Sequence, residues 1–466
     1  MKRQLILWIS ALGFSTLFYQ QDLGLNMFLF AMIAVATVFF SRREAFARSD
    51  MRIATIVYLL TSLFVFTNHS ALAIFMSFIT YIVFAGTISG AKNAIYIQGI
   101  NGLYQSFLGA LHYYMSPKKE RQIVTPQKKR DYGFILLCVL LVVGLPIIFA
   151  SLYSHINPIF EKWVSAIDLS FISIPWLLMT LMGYILISNV TAPAALQMLT
   201  EADSALRQDM QEISISEAQE PILRKEQLLG SLVIGVLNAL ILFFLVVDIW
   251  YVTNNPFLHA SELSKAVHEG VGALIASIVI AITLIVILFR GSLNFYKNNH
   301  RLRLLTYLWI FLNIVLVLVT AFKNYLYITD FGLTYKRIGV IIYLTLCITG
   351  LSTTYLKVAY RKNIYYLIRF NARIVFIVIV LMSSFSWNRE ITRYNLSQVA
   401  RPDLTYIEFM SGNHMDLLYA FAKAYPEKFT ASSLENIERK HTHYVEKLEN
   451  ETWQSTTLQG IKHRTK

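Results

Sequence analysis

Long apolar runs alternate along the chain with short polar interruptions. Crossing a hydrocarbon core of roughly 30 Å takes about 20 mostly apolar residues, and shorter spans are tolerated by local thinning. Eleven stretches qualify: Leu5–Tyr19, Leu23–Phe40, Ile53–Thr67, Ala71–Ile88, Tyr132–Tyr153, Phe171–Thr191, Leu228–Tyr251, Gly270–Phe289, Leu304–Phe322, Ile338–Leu356 and Ala372–Trp387. No backbone group can go unpaired in lipid, so runs of this length are expected to be helices. The pattern predicts an all-α polytopic bundle of about 11 transmembrane helices. Met1-Lys2-Arg3 followed by an apolar run has the look of a signal peptide, but no small-residue cleavage pattern follows. Gln20-Gln21-Asp22 instead predicts a tight turn and an uncleaved helical hairpin.

Composition agrees. Of 466 residues, 56% are hydrophobic and 15% charged, against about 45–50% and about 25% in soluble domains. Mean hydropathy is +0.51. A soluble α/β enzyme is excluded as the main body. Cys138 and Cys347 both sit in apolar runs and read as small buried hydrophobes, so neither a disulfide framework nor a zinc ligand set is expected.

The net charge of +13 comes from 41 Lys and Arg against 28 Asp and Glu. Counted by segment from the N-terminus, one side of the membrane carries 25 basic residues, the loops of the other side carry 5, and the C-terminal tail carries 11. A missed or extra helix would scramble this alternation, so it sets the expected orientation: N-terminus cytoplasmic, tail external. Topology then explains the charge, and no nucleic-acid partner is expected.

Three regions do not span. Ile95–Met115 is apolar but broken by Gln98, Asn101, Gln105 and His112, which suits an interfacial or re-entrant helix. The basic loop after it (Lys118, Lys119, Arg121, Lys128, Lys129, Arg130) would sit well against anionic headgroups. Residues 192–227 hold seven acidic and three basic residues and read as one or two solvated helices. The tail shows helical periodicity over Leu404–Ala424 and again near Leu434–Asn450, predicting a helical pair packed on the external face. The organisation expected is an N-terminal four-helix membrane region (1–131), a seven-helix region (132–387) and the external tail (388–466).

Several stretches resemble one family of bacterial polytopic membrane proteins, the domain-of-unknown-function family 4173. They are HINPIF at His155–Phe160, VHEG at Val267–Gly270, FRGSLNFYKNN at Phe289–Asn299, FKNYLYITDFGLTYKRIGV at Phe322–Val340 and NREITRYNLSQ at Asn388–Gln398. The resemblance covers residues 130–400 with a Bacteroidota flavour. It implies a multi-spanning bacterial inner-membrane protein and brings no activity, ligand or catalytic residue. By the charge count, all of these motifs except FRGSLNFYKNN fall at external helix ends, so a polar site is expected on the external face, beneath the tail.

Candidate site residues follow from that placement. His268 and Glu269 stand at the mouth of the eighth run. Such a pair can titrate near neutral pH. The plainer reading is a helix N-terminus in which Glu269 complements the dipole and Ser261 or Ser264 caps. Lys323, Asp330, Lys336 and Arg337 are expected to share one external loop, as a surface for an anionic lipid or other anionic group, or as an interface belt. Arg389 and Arg393, just past the last run, would join that surface or anchor the helix end. Within the spans, polar residues are few: Asn189, Asn238, Asp248 and Asn313.

No enzyme signature survives. The pairs Asn157-Pro158 and Asn255-Pro256 both fall on the external side, unlike a water-channel signature. Ser89-Gly90-Ala91-Lys92 and Ser116-Pro117-Lys118-Lys119 match a Ser-x-x-Lys pattern without its partner motifs. There is no G-x-S-x-G, H-E-x-x-H or phosphate loop, and His441 and His443 lack a third metal ligand. No cofactor is expected. The leading expectation is a non-enzymatic envelope protein acting through a lipid or membrane-protein partner on its external face. A secondary transporter of a small or amphipathic solute would need a polar cavity reaching Asn238 or Asn313. A transferase on a lipid-linked substrate would need a lateral cleft leading to His268.

Overall fold

The apolar runs fold as helices that extend past their apolar cores, because helical hydrogen bonding continues through the flanking polar turns until a cap ends it. The computed structural model describes residues 2–90, 93–115, 141, 145–165, 173–192, 194–254, 260–400, 402–410 and 412–465. Among these the chain is helical, without a β-strand. Before the tail come α1 (Lys2–Phe18), α2 (Leu25–Ser41), α3 (Ser49–Asn68), α4 (Ala71–Thr87), α5 (Ile95–Met115), α6 (Leu145–Ile156), α7 (Pro158–Ser165), α8 (Ile174–Thr191), α10 (Glu220–Asn254), α11 (Ala260–Leu288), α12 (His300–Phe331), α13 (Tyr335–Ala359) and α14 (Ile364–Ser383), with the short α9 (Gln197–Ala205) between α8 and α10. The tail adds α15 (Trp387–Gln398), α16 (Leu404–Phe409), α17 (Met415–Ala424), α18 (Ala431–Glu449) and α19 (Leu458–Arg464).

Six of these helices are long and apolar enough to cross a membrane: α3, α8, the Glu220–Trp250 part of α10, α12, α13 and α14. Shorter apolar helices cover Gln4–Phe18, Leu25–Ser41, Ala71–Thr87 and Gly272–Leu288. Ten of the eleven apolar stretches are therefore helices. The eleventh, Tyr132–Tyr153, falls mostly outside the described residues, as does the basic loop after α5. The protein is a polytopic helical membrane protein.

Two apolar cores lie side by side. One joins α1, α2, α3, α4 and α8 through residues such as Phe14, Phe30, Met51, Phe84 and Ile187. The other joins α10, α11, α12 and α13 through Ile234, Ile285, Trp309, Val317 and Leu351. Helix α14 packs on α13 on one side and on α3, α4 and α5 on the other, which ties the two together. Lipid tails are as apolar as the core, so close backbone approach and interhelical polar pairs hold such helices together. Buried hydroxyl pairs Ser10–Thr37 (2.8 Å), Thr61–Thr80 (2.6 Å) and Ser62–Ser77 (2.9 Å) link neighbours in the first core.

The loops sort onto two faces. On one, Asn68 Nδ2 donates to the Ser383 carbonyl (3.3 Å), Asn413 donates to the Asn68 carbonyl, and Asn395 clamps Leu333. Leu25 N–H and Asn26 N–H donate to the carbonyls of Thr456 (3.0 Å) and Gln454 (2.8 Å), so the end of the tail returns to the α1–α2 turn. On the other face, Arg48 donates to the Thr87 carbonyl, the Asp203 carboxylate accepts from Ala94 N–H (2.9 Å), and Lys357 Nζ donates to the Phe289 carbonyl (2.8 Å). These are the same two sets of loops that the basic-residue count separates.

In the acidic segment 192–227, Asp203 departs from the solvated expectation. It is buried and ion-paired with Arg369 (2.9 Å), because it caps the entry to α5 and joins α9 to α14. Helix α5 folds back along α4, where a Cβ on Gly102 would stand 1.7 Å from the Ile82 carbonyl oxygen. Gly99, on the same helix, has nothing within 4 Å of its Cβ position. Gly102→Ala is expected to destabilise the protein by about 1–3 kcal/mol through forced separation of α4 and α5. Gly99→Ala should be neutral or slightly stabilising. Thermal unfolding of the two variants in detergent compares them directly.

Candidate binding cleft on the tail-bearing face

The expected loop of four charged residues is not a loop. Lys323 and Asp330 lie inside α12, Lys336 and Arg337 lie in the first turn of α13, and only Gly332–Thr334 separates the helices. Helix α12 outlasts its apolar stretch by more than two turns, which places Lys323 within the bundle. There it pairs with Asp248 of α10 at 2.5 Å. Asp330 and Lys336 are exposed and apart from it.

Arg337 is no free anion receptor. It is 9% exposed and donates to the carbonyls of Phe331 (2.7 Å) and Gly332, with its guanidinium 3.8 Å from the Tyr327 ring centroid. It satisfies the last carbonyls of α12, which have no partner within the helix. Gly332 has φ +84, and Asn395 packs against it while exchanging two hydrogen bonds with the Leu333 backbone (2.6 and 2.9 Å). Thr334 caps α13. The turn is built to be rigid.

His268 and Glu269 lie on α11, whose first residue is Ala260. They are two turns inside the helix, so the expectation of a first-turn signature with Ser261 or Ser264 as cap is corrected. Their side chains are outside the described residues.

The structure does gather Arg389 and Arg393. Both border a cleft of about 510 Å³ between the ends of α3 and α14 and the tail helices α15, α18 and α19. Arg389 donates to Asp416 (2.8 Å) and to the Asn413 carbonyl (3.1 Å), which fastens α15 to α17. Arg393 makes an i,i+3 pair with Glu390 (3.0 Å) but remains 58% exposed. Lys462 and His463 of α19 complete the rim. Three cations face two carboxylates, leaving one positive charge in excess, and the Lys462 ammonium has no hydrogen-bond or ion-pair partner among the described residues. The walls are Tyr444, Leu448 and Leu458, and the floor is Ser384–Ser386. Sequence reasoning missed Lys462 and His463, because only the return of the chain end to the α1–α2 turn brings them here.

Each intramembrane amide donates to a backbone carbonyl, while Asn238 Oδ1 and Asn313 Oδ1 are buried with no hydrogen-bond partner among the described residues. Asn238 donates to the Leu305 carbonyl (2.9 Å), Asn313 to the Trp309 carbonyl (2.8 Å), and Asn189 to the Ser106 carbonyl (2.7 Å). None of the three lines the cleft beneath the tail or the two cavities along α10. No group of three or more His, Cys, Asp or Glu is placed to hold a metal among those residues.

A family model described as Domain of unknown function (DUF4153) matches residues 6–420. The chain belongs to that family. No curated protein and no solved structure matches it. The match agrees with the motif resemblance in giving a domain of unknown function over most of the chain, and does not confirm family 4173. In this DUF4153 member, Arg389, Arg393 and Asp416 lie within the matched span, while His441, Tyr444 and Lys462 lie beyond it.

The tail beneath the cleft is held by a buried histidine. His414 is fully buried, its Nε2 donates to the Ile407 carbonyl (3.1 Å), and its Nδ1 has no partner among the described residues. Burial pushes its pKa below the usual 6.5, with Lys440 and Arg389 acting in the same direction and Asp416 and the Ile407 hydrogen bond opposing. His441, stacked on Tyr419 at 4.0 Å, is lowered by burial as well. A depressed histidine pKa means the unfolded tail binds more protons, so this contribution to stability is complete above about pH 6.5 and is lost as pH falls below it. Acidification from pH 7.5 to pH 5.5 is expected to lower the amide protection factors across α16 and α17, with each measured rate divided by its intrinsic rate at that pH. His414→Gln should flatten that pH dependence, and exchange measured by mass spectrometry checks both.

Proposed function

We propose that this DUF4153 protein is a bacterial inner-membrane protein with a cytoplasmic N-terminus and a periplasmic tail, and that it works without catalysis. It binds, in the cleft beneath the tail, an anionic group presented by a membrane-protein partner. The observation that carries this reading is the cleft itself: a polar recess with an excess positive charge and an unpaired Lys462 at its rim. Backbone carbonyls hold Arg337 and an ion pair with Asp248 holds Lys323, whereas Arg393 and Lys462 stand at the cleft rim. Exposed cations of this kind steer an acidic partner and set its register.

The orientation rests on the basic-residue count, whose two sets of loops coincide with the two faces of the bundle. The transporter reading asks for a polar cavity at mid-membrane depth, and Asn238 and Asn313 instead bond to backbone carbonyls of α12.

Orientation is tested in a cysteine-free background with single cysteines at Asp22 and Arg301. A membrane-impermeant maleimide should label the first in intact spheroplasts and the second only after permeabilisation. The reverse order would overturn the orientation. For the cleft, a photo-crosslinking residue replacing His463 should give a discrete protein adduct in living cells. Reversing two charges with Arg393→Glu and Lys462→Glu should weaken that adduct at least about tenfold, since like charges across an interface cost several kcal/mol. An adduct indifferent to the charge reversal would sink the reading.

A further inference from the structure

Helices α10 and α11 are consecutive, yet among the described residues both pack on α12 and scarcely meet each other. The groove between them holds cavities of about 550 Å³ toward the tail-bearing face and about 560 Å³ toward the opposite one. In the first, α10 gives Phe244, α11 gives Ala273 and Ile280, and α12 gives Leu316. Phe244 and Ile280 are 50% and 65% exposed and would face lipid. At the end nearest the tail, the groove meets the Asp248–Lys323 pair.

That pair carries the argument. Its side chains are only 14% and 15% exposed, and it lies six residues before the end of α10 and eight before the end of α12. At 1.5 Å per residue this is about 9–12 Å inside the helix ends. Helix α12 is about 48 Å long by the same rise, so this depth is near the boundary between headgroups and acyl chains. An ionisable pair held at that depth is costly unless it has a role. One Lys323 N–H reaches Asp248 Oδ1, and no other hydrogen bond is recorded for either side chain among the described residues.

We propose that the groove binds one zwitterionic phospholipid. Its acyl chain lies along α12 between α10 and α11, its phosphate faces the Lys323 ammonium, and its amine faces the Asp248 carboxylate. The site is separate from the cleft beneath the tail. The pair is neutral overall, so a zwitterionic headgroup matches both charges, whereas an anionic lipid would leave a net negative charge beside Asp248 in a low dielectric. A transmembrane helix, about 10–12 Å across, is too wide for a recess of this volume.

The test uses the full chain, purified and delipidated in detergent, then given phosphatidylethanolamine or phosphatidylglycerol with identical acyl chains. Native mass spectrometry reads the bound lipid. One phosphatidylethanolamine should be retained with about tenfold preference, the effect of a single charge-assisted contact. The double variant Asp248→Asn, Lys323→Met should lose the preference. Ala273→Phe, which fills the groove and leaves the pair intact, should lose the lipid while thermal unfolding shows the fold retained. Equal retention of both lipids by the unaltered chain, preference surviving Ala273→Phe, or a second copy of the chain in place of lipid would each overturn the proposal.

Discussion

A helix that ends at a membrane surface leaves its last carbonyls without partners, and in lipid they cannot fall back on water. In this protein basic and amide side chains from neighbouring helices fill that need, and much of the bundle's geometry follows. Lys357, almost fully buried, reaches the Phe289 carbonyl just past α11. Arg303 reaches the Val358 and Ala359 carbonyls at the end of α13 (3.3 and 3.2 Å). Arg337 does the same for α12, and Asn299 for the turn at Leu293 (2.7 Å). The Lys357 and Arg303 clips join elements more than 50 residues apart, so they also fix which helix ends share a face.

This changes what a count of basic residues means. Charge asymmetry arises because translocating a cation is costly, but several of those cations are held in the folded protein by backbone carbonyls. Arg303, Arg337, Lys357 and Arg369 all donate to carbonyl oxygens. At the helix turn that motif spacing favoured, the cation Arg337 is held in this way, whereas the cleft beneath the tail brings three cations against two carboxylates.

The helices were legible because an apolar run of spanning length has one solution in lipid. Their ends were less so. Hydropathy marks where the apolar stretch stops, while the helix runs on through Lys323 and Asp330 to a turn set by Gly332 and Asn395. Position just past the last run put Arg389 and Arg393 on the face that bears the tail, but the cleft they border holds none of Lys323, Asp330, Lys336 and Arg337, the surface they were expected to join. Position did not place Lys462, since nothing local says that residues 454–456 return to pair with Leu25 and Asn26. Asp203 misled in the same way: an acidic segment reads as solvated until Arg369 and the Ala94 N–H are brought to it.

Helix α10 shows the converse. It is apolar on every side, so its sequence carries no periodicity to say which face meets protein. In the structure less than a quarter of its spanning window is buried. A helix held so lightly needs a reason to keep its distance from α11, and side-chain packing does not supply one, because among the described residues no side chain fills the space between them. The Asp248–Lys323 bond does supply one: it pins α10 to α12 at the end where α11 diverges. Losing either charge would therefore do two things at once, releasing α10 from its neighbour and leaving a lone ion at the headgroup boundary. That coupling of helix position to a charge pair makes the groove a persistent feature of the bundle, and a persistent apolar recess facing a bilayer is filled by the acyl chains around it.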